Sequence, residues 1–225
     1  MMQRMYRARR TLMSFAFISF AFAAPSLAQT PPALRLSDGV NTVTIDANNV
    51  VTFSPGCACS TVSSSGVAGN PGRVAWMGTI GVFDVAAAQG NAQNSSFANP
   101  DLSVVAGNTS ANTATLTVSW SSAGYNGSVV VAGLAQTNFS GAGSAKYSYY
   151  IDDSNALFGT GSLVGTFSAT TTTGGPIWPS SATGTFSATE VEAITLGPAS
   201  VFNGDNEMAM LAEPITVSCA VSSGT

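Results

Sequence analysis

The 225-residue chain contains no histidine. That removes the commonest general base, the usual nucleophile–histidine–acid triads and most transition-metal sites. Positive charge is also scarce, with seven Lys and Arg against eleven Asp and Glu. Four of the seven (Arg4, Arg7, Arg9 and Arg10) crowd the first ten residues. No basic patch is left to hold a phosphate backbone, so nucleic acid is not an expected partner. Beyond residue 28 no apolar run approaches the ~18 residues that a spanning helix needs. Amphipathic helical periodicity is missing too. Only Ala86–Gln93, short and alanine-rich, offers a helical turn or two.

The basic leader runs into the apolar stretch Leu12–Ala24, then Pro25 and Ser26-Leu27-Ala28. This is the layout of a secretory signal peptide, and the apolar run is too short to anchor in a bilayer core about 30 Å thick. We expect residues 1–28 to be removed near Ala28 and residues 29–225 to form one domain, secreted to the periplasm or the extracellular space. The mature chain would keep Arg35, Arg73 and Lys146 against eleven acids, a net charge of −8. Apolar residues make up 45% of the chain, enough to offset ordering entropy and to argue against disorder.

Those apolar residues alternate with hydroxyls. In Thr113–Ser121, "TATLTVSWS", Ala114, Leu116, Val118 and Trp120 fall on one face and the Ser and Thr residues on the other, as in a strand with one buried side. "KYSYYI" groups Tyr147, Tyr149 and Ile151, and "ITVSCAV" groups Ile215, Val217, Cys219 and Val221. "LRLSDGVNTVTI" reads as a hairpin turning at Asp38-Gly39. Further strands are expected at Val50–Ser54, Val74–Val85, Leu102–Val105, Ser128–Leu134, Ser162–Ala169, Thr183–Ala188, Val191–Leu196 and Glu207–Leu211. Turn residues gather between them, as at Asn126-Gly127, Gly174-Gly175-Pro176 and Asn203-Gly204-Asp205-Asn206. About a dozen short strands predict an all-β fold, an antiparallel β-sandwich of jelly-roll type. The hexapeptide "GTFSAT" occurs at Gly165–Thr170 and Gly184–Thr189. Two copies fall short of the roughly three units that a solenoid needs, so they read as two neighbouring strands, each with a core phenylalanine (Phe167, Phe186). The stretch between them, with Trp178 flanked by prolines, reads as an exposed loop.

Few constellations could carry chemistry. Glu190 and Glu192, at i and i+2 of a strand, share a face and could be weighed as a hydrolytic acid pair. A solvated charged strand that discourages edge pairing is the simpler expectation. Asp152, Asp153 and Asn155, and likewise Asp205 and Glu207 in "NGDNE", offer oxygen-rich loops. They suit either calcium, the one cofactor the sequence leaves open, or plain Asx turns. Cys57 and Cys59 could join each other only through a small strained ring. A long-range disulfide from one of them to Cys219, with the other left over, is therefore expected in an oxidising compartment. Trp178, Tyr125 and Tyr150 are candidate stacking surfaces for sugar rings. Asn94, Asn108, Asn126 and Asn138 lie in N-x-S/T triplets that a composition this rich in Asn, Ser and Thr produces by chance.

Four stretches in order, "LRLSDGVNTVTI", "GTIGVFDV", "NPDLSVVAGNTSANTATLTVSWSSAGY" and "KYSYYIDDSNALFGTGSLVGTF", resemble bacterial exported proteins of unknown function, many of which end in a PEP-CTERM sorting tail. The resemblance implies an all-β extracellular domain associated with a surface or matrix, and it carries over no catalytic residue. Glu213-Pro214 leads into a strand pattern, not into the apolar helix and basic residues of that tail, so anchoring by that route is not expected. Two functions follow. One is a non-catalytic β-domain of the cell surface, matrix or adhesion apparatus, meeting a polysaccharide or another surface protein. The other is a carbohydrate-binding module using exposed aromatics such as Trp178. If the leader is processed as read, N-terminal sequencing of the exported protein begins at or near Gln29. Recovery of an intact Met1 leader on the exported protein would refute it.

Overall fold

A computed structural model describes residues 30–67, 72–91, 100–170 and 173–212. The leader, the strand pattern at Ile215–Val221 with its Cys219, and Asn94 lie outside the described residues. Those described form twelve strands: β1 (Thr30–Ser37), β2 (Thr42–Asp46), β3 (Val51–Phe53), β4 (Cys59–Val67), β5 (Arg73–Ile80), β6 (Phe83–Asn91), β7 (Asp101–Asn108), β8 (Ala114–Ser140), β9 (Gly143–Asp152), β10 (Ser162–Ala169), β11 (Thr173–Leu196) and β12 (Val201–Ala212). Every pairing among them is antiparallel. Among the described residues no helix is long and apolar enough to cross a membrane.

The layers follow from β8. At about 3.3 Å per residue its 27 residues would reach roughly 90 Å, far beyond the width of one domain, so the strand must bend. Its first half pairs with β1 on one side and the end of β11 on the other. Its second half pairs with β12 and the start of β11. The strand order β10-β9-β11-β8-β12-β7-β6-β5-β4, with β1, β2 and β3 branching from β8, therefore folds into two facing layers of one nearly closed sheet. β1 and β2 pack over β5, and β9 and β11 face β12. The bend sits at Ala123–Gly127. There Tyr125 pairs with Phe186 but Ser122 with Ala188, so β8 carries one extra residue. That bulge changes which residues face inward, from Leu116, Val118 and Trp120 to Val129, Val131 and Ala135. The core thus stays continuous as the strand passes from one layer to the other.

The expected all-β antiparallel sandwich is the observed fold, and the predicted faces are largely correct. Leu116, Val118, Trp120, Tyr147 and Tyr149 are buried, and the β1–β2 hairpin turns at Gly39 with φ +93°. Asp38 anchors that turn by accepting from the Val40 and Asn41 N–H groups at 2.9 and 2.7 Å and from Asn41 Nδ2 at 2.8 Å. Several boundaries differ. Alanine-rich 86–91 is strand, because pairing with β5 and β7 overrides local helix propensity. The stretch Val74–Val85 is two strands, broken at Gly81, whose φ is +53°. The turn signals at Gly174-Gly175-Pro176 and Asn203–Asn206 lie inside β11 and β12. The GTFSAT copies fall on β10 and β11, but β9 runs between them, so they are not neighbours. Phe186 is fully buried and Phe167 packs against the core from β10.

Gly184, opposite Gly127 at the bend, has φ +81° with open space where a Cβ would stand. Gly184→Ala therefore tests conformation alone. It should cost about 1–2 kcal/mol in denaturant unfolding, and an unchanged midpoint would show that the bend does not need glycine.

Candidate functional site

Glu190 and Glu192 are not solvated. Both are 0% exposed, because β11 lies between β8 and β9 instead of at an edge, and its inner face is core. The register sets Glu190 between Trp120 and Tyr149, and Glu192 between Val118 and Tyr147. From β12 in the facing layer, Asn206 donates its Nδ2 to Glu192 Oε1 at 2.9 Å. The two phenols are committed elsewhere: Tyr147 donates to the Gln136 carbonyl and Tyr149 to the Leu134 carbonyl, both at 3.0 Å. Among the described residues, both oxygens of Glu190, Glu192 Oε2, Asn206 Oδ1, Trp120 Nε1 and the Tyr125 hydroxyl have no hydrogen-bond partner.

Burial drives both carboxyls well above the usual carboxylate range. Asp101, Glu192, Asp205 and Glu207 push Glu190 further in the same direction, while the Asn206 hydrogen bond pulls Glu192 back in part. The phenols of Tyr147 and Tyr149 are likewise raised by burial and then by these acids. A hydrolytic pair has to flank its substrate with one carboxylate ionised. These two side chains are fully buried between the layers.

The candidate stacking residues do not form one platform. Tyr125 is core, 2% exposed, with its ring stacked on Phe186 at 5.6 Å. Tyr150 is half-buried and alternates with Tyr149 on β9, so it faces outward between Leu163 and Thr189. Trp178 belongs to β11, at a register shift between Ile177 and Ser180, and not to a loop. Its side chain lies outside the described residues.

The oxygen-rich segments prove to be two different things. Asp152 closes an Asx turn, accepting from Ser154 N at 3.1 Å and Ser154 Oγ at 2.7 Å. Asn155 accepts from Gly124 N at 2.7 Å, and Asp153 lines a small cleft with Ser162 and Ser181. Asp205 and Glu207 lie on strand β12, where Asp205 accepts from Ser103 Oγ. Among the described residues, no group of three or more Asp, Glu, Cys or His side chains is disposed to hold a metal ion.

Two outer-face features escaped the sequence reading. Residues 153–161 lie as a strap across β8 and β11. Phe158 N donates to Ser121 Oγ at 2.9 Å, Ser187 Oγ donates to the Ala156 carbonyl at 2.7 Å, and the Arg35 guanidinium sits 3.8 Å above the Phe158 ring. The strap hides Ser121, Ser187 and Thr189, hydroxyls expected to be wet. Farther along, Gln136, Thr137, Asn138, Asn203, Gly204 and Asp205 line a shallow polar cleft. The β8–β12 register puts Asn138 opposite Asn203 and Gln136 opposite Asp205. Only a known pairing of the two strands brings these four together. Asn108, read as a chance triplet, is 2% exposed and donates to the carbonyls of Asn112, Leu196 and Gly197.

Cys57 is joined to Cys59, not to the distant Cys219, with Cα atoms 5.2 Å apart, inside the ordinary disulfide range. The connection is held in a tight bend. Cys57 N donates to the Ser54 carbonyl, while Ala58 donates to Asn41 Oδ1 and accepts from Gly81 N, both at 2.9 Å.

Neither a family model nor a curated protein matches the chain. Among solved structures, the carbohydrate-binding module TmCBM61, determined with beta-1,4-galactotriose, aligns with 58% of this chain and 88% of its own at 9% identity and a TM-score of 0.31. A likeness that slight carries no argument about the present chain. Non-reducing peptide mapping should return Cys57 and Cys59 linked within one peptide. A fragment joining either of them to Cys219 would show the long-range bridge instead.

Proposed function

We propose that this protein is a non-catalytic exported β-sandwich that binds or scaffolds at the cell surface or in the extracellular matrix. The carrying observation is the fate of Glu190 and Glu192: the acid pair best placed by sequence for hydrolysis is sealed between the layers. What the strands turn to water is hydroxyl and amide surface, with exposed apolar side chains such as Val62, Leu134 and Leu163 among them. Such a face is suited to contact with extended polymers or other surface proteins, and unsuited to nucleic acid. Export, the cleaved leader and an acidic mature chain belong to this reading. Fractionation of cells producing a tagged full-length chain should recover the mature protein with the envelope or matrix, and purified protein should release no reducing sugar from a panel of polysaccharides. Hydrolysis that disappears in Glu190→Gln would overturn the reading.

The polar cleft favours a second reading, carbohydrate binding. Amide and carboxylate side chains present paired donors and acceptors that match adjacent sugar hydroxyls, and Asn138, Asn203, Gln136 and Asp205 stand as such a set across two strands. Trp178, on β11 beside β8, is the aromatic retained for this role. On a glycan array, binding that falls at least tenfold in Asn138→Ala and Asp205→Ala would establish it. No bound glycan, or binding indifferent to both changes and to Trp178→Ala, would remove it.

A further inference from the structure

The interior around Glu190 and Glu192 has an imbalance that hydrogen bonding within the chain does not resolve. Among the described residues four oxygens there lack a donor (both of Glu190, Glu192 Oε2 and Asn206 Oδ1), and the unpartnered donors near them number two, Trp120 Nε1 and the Tyr125 hydroxyl, too few for four acceptors. An unpaired buried acceptor is costly, and an unpaired buried carboxylate far more so. The surroundings offer no compensation. β8 contributes Trp120, Val118 and the Tyr125 phenol, which acts on Glu190, β9 contributes Tyr147 and Tyr149, and β12 contributes Asn206. The other charged residues that act on Glu190 are all acids, Asp101 of β7 and Asp205 and Glu207 of β12. Arg73 and Lys146 are exposed, and Arg35 is stacked on Phe158 outside the sheet.

Something positive has to enter this cluster, and its donors identify which kind. Calcium takes six to eight oxygens, whereas four are on offer. Asn206 also turns its amide nitrogen, a donor, toward Glu192. Protons fit better. Each one converts a lone acceptor into a donor, so two protons turn the four acceptors into two donors and two acceptors, which can pair among themselves. We propose that Glu190, Glu192 and Asn206 form a proton-loaded latch between the two layers, closed in acidic and neutral surroundings and released as the medium turns alkaline. Ionising either acid places an uncompensated charge between β11 and β12, and the sheets must part or admit water to solvate it.

The sign follows from linkage. Folded-state carboxyls raised above the unfolded value of about 4.3 bind more protons than the unfolded chain. Their contribution is complete below that value and is lost as pH rises through the folded values. Asp38 acts oppositely at the acid end. Burial works against its charge, but hydrogen bonds from the Asn41 side chain and the Asn41 and Val40 backbone prevail and lower its pKa, so its support is lost only in strong acid. Stability should therefore peak near pH 4–5 by these values, below the usual range for folded proteins.

Chemical denaturation of the purified exported protein across this pH range, at constant ionic strength and with either calcium or a chelator present, tests the latch. The folding constant is expected to fall by up to about tenfold per pH unit for each acid that ionises, with no effect of calcium or chelator. The Glu190→Gln/Glu192→Gln double variant, an isostere of the neutral pair, should show a flattened profile and exceed the native chain in stability on the alkaline side. A flat native profile above pH 5, a slope that survives in the double variant, or stabilisation by calcium that the variant loses would each overturn the proposal. Should the double variant not fold, the infrared spectrum of the native protein decides. A protonated-carboxyl stretch persisting at pH 7 supports the latch, and its absence refutes it.

Discussion

The antiparallel ladder between β8 and β11 is the constraint on which the rest of this molecule hangs. It runs from Leu196 opposite Ala114 to Thr173 opposite Thr137, interrupted at a bulge by Ala123 and a second shift near Trp178. Because both strands cross from one layer to the other, the ladder is at once the spine of each layer and the hinge between them. β1 and β9 are added on one half, and β12 with the β7-to-β4 meander on the other. A spine of this kind leaves little freedom in how the layers face one another. Once the bulge has switched the parity of β8, the two inner faces must meet over Trp120, Tyr149, Phe186 and Phe202.

The acids are a consequence of that spine. A residue pair at i and i+2 has its side decided by the strand's parity, and the parity of β11 is dictated by Phe186, Ala188, Ile194 and Leu196, all buried. Glu190 and Glu192 are carried inward by this apolar majority. Retaining two carboxyls there costs stability that leucine or valine would not, and buried polar groups of this sort can serve specificity or switching in exchange. The Asn206 hydrogen bond to Glu192 links layers that share no backbone pairing at that point.

Outside, the same ladder produces two unlike surfaces. Near β1 the strap of residues 153–161 covers Ser121, Ser187 and Thr189, with Asn155 and Phe158 held at φ +56° and +59° by their hydrogen bonds to Gly124 and Ser121. Near β12 the sheet is uncovered, and amides and Asp205 line up in cross-strand pairs. The first surface is covered by the strap, and the second is open to solvent.

Much of this fold is legible in the sequence itself. Alternation placed Leu116, Val118, Trp120, Tyr147 and Tyr149 on core faces, and Asp38-Gly39 marked a hairpin, because period two and turn chemistry are local properties of a few adjacent residues. What failed was everything that depends on which strand lies beside which. Gly174-Gly175-Pro176 and Asn203–Asn206 carry turn signals yet are strand, since pairing with β8 outweighs local preference. Glu190 and Glu192 look solvated along the chain and are buried because β11 is central. Cys57 finds Cys59 because the clamp at Ala58 bends the chain between them. The order of residues thus determined an all-β sandwich and the pairs that share a face. Only tertiary pairing decided which face meets water, because burial is a property of neighbours far away in the chain.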